Sequence, residues 1–175
     1  MLKMTIADWI KRVNRLFEMN LYSDVEIMRS GLKLKTREIT NFEFCLIPEE
    51  VSGTLDEPPI QEELTERYHV IDKSVYVYDQ YLCKDINSRQ ASFVNNYDGQ
   101  ENHCISYFHH YVRDNKYCLN VYVRSMNFKT NFIFDCQTFN LMYSTIFERL
   151  KNNYNIKHGF IRVFVFSLHV YNDEI

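Results

Sequence analysis

Cys104 stands in the run NHCISYFHHYV, at the start of a β-rich segment. A cysteine there is either a small buried hydrophobe or, with basic groups near enough to hold its thiolate, a nucleophile. Arg124, Arg89, His103 and His109 are the basic residues that could serve it. A second cluster closes the apolar run FIRVFVFSLHVY over Phe160–Tyr171. Side chains repeat with period two along a strand, so Ser167, His169 and Tyr171 share a face, where they either cap a sheet edge or line a site. The same parity puts Cys118, Asn120, Tyr122 and Arg124 on one face of Tyr117–Ser125. An arginine among polar strand neighbours suits a phosphate or carboxylate through its planar fork, or is a salt-bridged edge residue. His109 and His110 are adjacent, so a strand sends them to opposite faces and no shared metal site is expected. Lys33, Lys35 and Arg37 form a small basic cluster that reads as a solvated turn.

These residues need elements to hold them. Thr5 to about Asn20 reads as an amphipathic helix, with Ile6, Trp9, Ile10, Val13, Leu16 and Phe17 at helical spacing. Thr5 followed by Asp8 resembles a capping box. Residues 22–47 read as short strands around a basic turn (YSDVEIM, RSGLKLKTRE, NFEFCLI), and the acidic, Pro-containing Pro48–Thr65 reads as a loop. Arg89–Asn96, Cys104–Val112 and Tyr117–Ser125 are β-rich, with Asp114-Asn115 as a turn. Phe134 to about Lys151 reads as a helix with Asp135 where an N-cap is expected. Phe160–Tyr171 is apolar enough for a strand covered on both faces. Helices on a largely antiparallel or mixed sheet make the fold class α+β.

Composition narrows the function. The 175 residues suit a single domain over 1–175, and 46% hydrophobic with only 4 Gly and 3 Pro excludes a disordered or linker-dominated chain. Lys+Arg 20 against Asp+Glu 23 gives a net charge of −3, so no basic field exists to hold a nucleic acid. No apolar run approaches the roughly 20 residues a membrane helix needs, and the charge-broken N-terminus does not read as a secretory signal. Five Cys without a CxxC pair argue against a disulfide framework or zinc, and for a reducing, cytoplasmic location.

From about Asn87 to Tyr171 the chain resembles the thymidylate synthase superfamily, which includes the deoxycytidylate hydroxymethylases. NSRQASF resembles the family's S-R-R/Q strand, and Cys104 followed by HHYV its catalytic-Cys strand. YVRSMNF resembles the Q-R-S-x-D segment, FDCQTFNLMY the P-F-N-I-x-x-Y segment opening a central helix, and SLHVYN the final H-x-Y. Upstream, over the divergent 1–65 part and beyond, Arg29-Ser30-Gly31 resembles the N-terminal phosphate loop. Glu63-Leu64 resembles the catalytic Glu-Leu pair, and Tyr78 the catalytic-set Tyr before the S-R strand. Departures are His103, Ile105, His109, Asn127 and Gln90, and the chain ends four residues after Tyr171, where the family continues with strands and a tail closing over folate.

The resemblance implies a transferase fold dimerised sheet to sheet, with Cys104 as the nucleophile on C6 of a pyrimidine and Glu63 as the base at C5. It implies that Arg29, Arg124, Ser125 and Arg89 of the partner subunit bind a 5′-phosphate, while His169 and Tyr171 bind the deoxyribose. Methylenetetrahydrofolate is the implied one-carbon donor. Asp135 stands where the family reads the base: a carboxyl suits the N4 amino group and protonated N3 of cytosine, which implies dCMP over dUMP. The same Asp135 also reads as an N-cap. The resulting expectation is a pyrimidine deoxynucleoside monophosphate C5-hydroxymethyl- or methyltransferase. The alternative is a member without catalysis, serving as a nucleotide-binding or protein-interaction module.

Overall fold

The computed structural model describes residues 4–29, 31–48, 61–94 and 104–172; the side chains of 28, 29 and 61–68 lie outside this description. Helix α1 (Ile6–Glu18) begins on the capping box: the Asp8 N–H donates to Thr5 Oγ1 at 3.1 Å, and the Thr5 hydroxyl donates to the Asp8 carboxylate at 2.8 Å. Its apolar stripe of Ile6, Trp9 and Val13 is buried. Trp9 Nε1–H donates to the Cys45 carbonyl at 2.8 Å, which fixes the helix on the sheet.

Six strands form one mixed sheet: β1 (Ser23–Arg29), β2 (Leu32–Leu46), β3 (Ser92–Val94), β4 (Ile105–Arg113), β5 (Lys116–Asn127) and β6 (Lys157–Tyr171), in the order β1-β2-β6-β5-β4-β3. All neighbours are antiparallel except β5 and β6. That parallel pair is joined through α3 (Phe132–Asn153), the crossover such a pairing requires. β6 is central, consistent with its apolar sequence. Helix α2 (Gln61–Val77) runs into a π-helical turn over Tyr78–Leu82. No helix among the described residues is long and apolar enough to cross a membrane.

The helices share one face of the sheet. Trp9 of α1 meets Phe44 with ring centroids 5.7 Å apart, Phe44 meets Phe132 of α3 at 5.3 Å, and Lys73 of α2 lies 5.1 Å over Phe93. Deep in this core the Tyr143 hydroxyl donates to the Tyr117 carbonyl at 2.9 Å and accepts the Gly159 N–H at 3.0 Å. One side chain of α3 thereby clamps β5 to β6.

Several expectations are corrected. The basic segment Lys33–Arg37 is strand, not turn: β2 runs continuously from Leu32, and Gly31 just before it takes φ +80°. Lys33 pairs with Glu26 at 3.2 Å and Arg37 lies 5.0 Å over the Tyr22 ring, so both are absorbed by the hairpin and α1's end. The expected loop over Pro48–Thr65 already turns helical at Gln61, and residues 49–60 lie outside the described residues. α2 has no counterpart in the sequence reading, which assigns no element between Thr65 and Arg89. The β-rich Arg89–Asn96 reduces to Ser92–Val94 among the described residues. α3 starts two residues earlier than expected, at Phe132, so Asp135 is not its N-cap; that place is taken by Asn131. The hairpin at Asp114-Asn115 is as expected, with both residues at positive φ (52° and 54°) as a type I′ turn demands.

Along one row the strand alternation breaks. Asn41 (φ 55°), Phe166 and Arg124 drop out of ladders that pair their neighbours on both sides, and β4 shifts register between Ile105 and Tyr107. Before this row Val121, Val123, Val163 and Val165 face the helices; after it Met126, Leu168 and Val170 do. The inward parity has switched, and the sheet is kinked.

Candidate functional site

The kink lies beside the carboxyl ends of β5 and β6, where β4 begins and the chain leaves β5 for α3. The ends of parallel strands and the N-terminus of the following helix are where α/β crossovers gather ligand-binding groups. Cys104 sits at the entry to β4, half-buried, and its carbonyl accepts the Arg124 N–H at 2.7 Å. Arg124 is exposed and Ser125 half-buried. In a regular strand these consecutive residues would point to opposite faces; the kink interrupts that alternation between them.

Ser125 Oγ lies 3.3 Å from His169 Nδ1, which joins β5 to β6 through side chains. Tyr171 meets the His169 ring edge-on with centroids 5.3 Å apart. The His169 carbonyl accepts the Phe128 N–H at 2.8 Å, fastening the turn that leaves β5. Asn127 builds that turn: its Oδ1 accepts the N–H groups of Lys129 (2.8 Å) and Thr130 (3.1 Å), an Asx turn that sets the start of α3. Asp135 follows, buried in the first turn of α3, with its N–H on the Asn131 carbonyl at 2.8 Å. A carboxylate there is favoured by the helix dipole.

The structure therefore places Cys104, Arg124, Ser125, His169 and Tyr171 at one end of the sheet and starts the Asp135 helix from the same end. Because Leu168 and Val170 face the helices, His169 and Tyr171 lie on the opposite face, whereas the buried Asp135 belongs to the helix side. Arg29 ends β1 opposite Leu32, and Thr36 pairs with Tyr171, so the hairpin tip extends past the end of β6 on this side. The Arg29 side chain lies outside the described residues. So does that of Glu63, whose backbone is in the first turn of α2. His103 lies outside them altogether.

Two assignments fall elsewhere. Tyr78 is buried where its hydroxyl accepts from Asn153 Nδ2 at 3.2 Å and Arg149 lies 5.8 Å from its ring. Those partners belong to the last turns of α3, so Tyr78 is about 20 Å along that helix from Asp135. Arg89 is exposed ahead of β3, whose Ser92 pairs with His109, so it lies at the far end of β4 from Cys104. Within one chain it is not part of this end of the sheet.

The remaining candidates separate by burial. His110 is enclosed on the inner face, its Nδ1 2.6 Å from the Tyr117 hydroxyl, and burial lowers its pKa to about 3. His109 sits half-buried on the opposite face, its pKa lowered by burial and then by Arg113. The expected divergence of the two histidines holds. Cys136 is buried, and desolvation, then Asp135, raise its thiol well above the usual range. Cys45 and Cys118 are buried, which leaves Cys104 as the accessible thiol at this end.

One residue at this end carries no signal in sequence spacing. Glu38 pairs directly with His169 across β2 and β6, so the two side chains share a face. Its position depends on a register between segments more than a hundred residues apart. Compared with known proteins, the chain matches no protein-family model and no curated protein sequence, so the reading of this site rests on its own residues and geometry.

Proposed function

We propose that the chain is a pyrimidine deoxynucleoside monophosphate C5-hydroxymethyl- or methyltransferase, selective for dCMP, working as a homodimer. The observation that carries this reading is the meeting of Cys104, Arg124-Ser125 and His169-Tyr171 at the carboxyl ends of β5 and β6, where the helix bearing Asp135 also begins. Arg124 and Ser125, with Arg29, bind the 5′-phosphate, whose charge rewards the planar fork of arginine. Arg89 of the partner subunit completes that set. His169 and Tyr171 hold the sugar, and the Asp135 carboxyl receives the cytosine N4 amino group.

With the ring so fixed, the Cys104 thiolate adds to C6 and makes C5 nucleophilic. After the new carbon–carbon bond forms, Glu63 takes the C5 proton as the folate nitrogen leaves the transferred methylene carbon. Addition of water (hydroxymethyl product) or of a hydride from the reduced folate (methyl product) to that carbon then expels the thiolate from C6 and restores the 5,6 double bond. Methylenetetrahydrofolate is the one-carbon substrate in this reading, and no side chain is assigned to it.

Calorimetric titration of dCMP and dUMP into the protein and its Cys104→Ser and Asp135→Asn variants tests the reading. Micromolar binding of dCMP, retained in Cys104→Ser with turnover abolished, is expected. Asp135→Asn is expected to shift preference toward dUMP by about tenfold or more. Binding without turnover in the unaltered protein would identify a nucleotide-binding module instead; binding of neither nucleotide ends the proposal.

A further inference from the structure

Glu38 lies directly across the β2–β6 ladder from His169, flanked in the same register by Thr36 opposite Tyr171 and Thr40 opposite Ser167. Directly opposed residues point to one face with Cβ atoms about 5 Å apart. On the other side of β6, Ser125 pairs with Ser167 and Asn127 with His169. The face around His169 is thus made of hydroxyl and amide groups with one carboxylate among them, Glu38. That carboxylate is half-buried, and no ion pair or side-chain hydrogen bond ties it to another described residue. The nearest cation in sequence, Arg37, pairs with Val170 and so lies on the opposite face, stacked on Tyr22.

A carboxylate on that face is an acceptor for a hydroxyl donor of a ligand. We infer that Glu38 is a specificity-determining residue of the sugar subsite, accepting the 3′-hydroxyl proton of a mononucleotide and rejecting nucleotides phosphorylated at that oxygen. The inference rests on the assignment of His169 and Tyr171 to the sugar. A hydroxyl gives Glu38 the donor it lacks. A phosphate there would bring two negative groups together in a region screened less than bulk water. The subsite then takes free mononucleotides and excludes the 5′ end of an oligonucleotide, whose 3′-oxygen is esterified.

The test compares dCMP with 2′-deoxycytidine 3′,5′-bisphosphate by calorimetry at pH 8. The unaltered protein is expected to bind dCMP at least about thirtyfold more tightly than the bisphosphate. Glu38→Gln, which keeps the shape and removes the charge, is expected to narrow that ratio to about threefold or less. Glu38→Asp, which keeps the charge, is expected to preserve the rejection, and its thermal midpoint shows that the hairpin is intact. Equal binding of the two ligands by the unaltered protein, or an unchanged ratio in Glu38→Gln, overturns the role of Glu38 and leaves the nucleotide site standing. Absence of dCMP binding overturns both.

Discussion

At the scale of single residues, burial sorts groups that hold the fold from groups that can react. His110 is enclosed against Phe108 and Tyr117, and its pKa falls to about 3 because the imidazolium would lose its hydration. The unfolded chain binds that proton near the ordinary histidine value of about 6.5. Between these values the unfolded state carries more protons, so stability rises with pH through this window and is complete above about 6.5. His109 adds to the same slope, its pKa being lowered by burial and by Arg113. Acidification from pH 6.5 toward 4 is therefore expected to lower the unfolding free energy by up to about 1.4 kcal/mol per pH unit for His110 alone. Denaturant titrations at several pH values check this. The neutral His110→Gln variant is expected to be less stable throughout and to lose about one proton's worth of slope. An unchanged slope in that variant would place the acid sensitivity elsewhere. Tyr117 and Cys136, also enclosed, have raised pKa values from burial, so these two groups stay uncharged near neutrality. Reactive chemistry is left to the half-buried Cys104 and its neighbours at the sheet's end.

At the scale of elements, close approach decides what the strands tolerate. Gly159 sits where a Cβ would come 2.5 Å from Cys118 Sγ and closer still to the Tyr117 carbonyl oxygen, which itself accepts from Tyr143. A methyl group cannot enter without parting β5 from β6 or breaking that clamp. Gly159→Ala is expected to cost about 3 kcal/mol, read as a fall of roughly 6–12 °C in the thermal midpoint. A midpoint within 2 °C of the parent would mean that the two strands separate more easily than their shared Tyr143 implies. Features with local causes were legible in the sequence: the Thr5/Asp8 cap, the Asp114-Asn115 turn, the apolar central strand, and the common face of Ser167, His169 and Tyr171. Those with non-local causes were not. The start of α3 is set by the Asx turn of Asn127, which relieves Asp135 of the capping role its type suggested. The kink through Asn41, Phe166 and Arg124 needs three strands to bend together, and no one strand's pattern announces it. Glu38 acquires its neighbour only through the β2–β6 register.

At the scale of the whole molecule, the sheet is asymmetric. The helices cover one face, while the other carries the aromatic row Tyr107–Tyr122–Phe164, with centroids 5.4 and 4.7 Å apart, and beside it Phe166, 56% exposed. Exposed aromatic surface suits a partner that brings apolar contact. In the proposed homodimer a second copy supplies that contact through an isologous interface. The same proposed dimer gives Arg89, which its own chain holds away from Cys104, a place at the proposed phosphate subsite of the neighbouring chain. Sedimentation equilibrium is expected to give twice the chain mass of 21.2 kDa. Phe166→Asp, at an exposed position that leaves the core untouched, is expected to give the chain mass and to weaken dCMP binding about tenfold or more, because Arg89 is withdrawn from every site. Arg89→Ala is expected to weaken binding comparably while the dimer persists. If the unaltered protein sediments at the chain mass yet binds dCMP, the phosphate site is complete within one chain and Arg89 has no part in it.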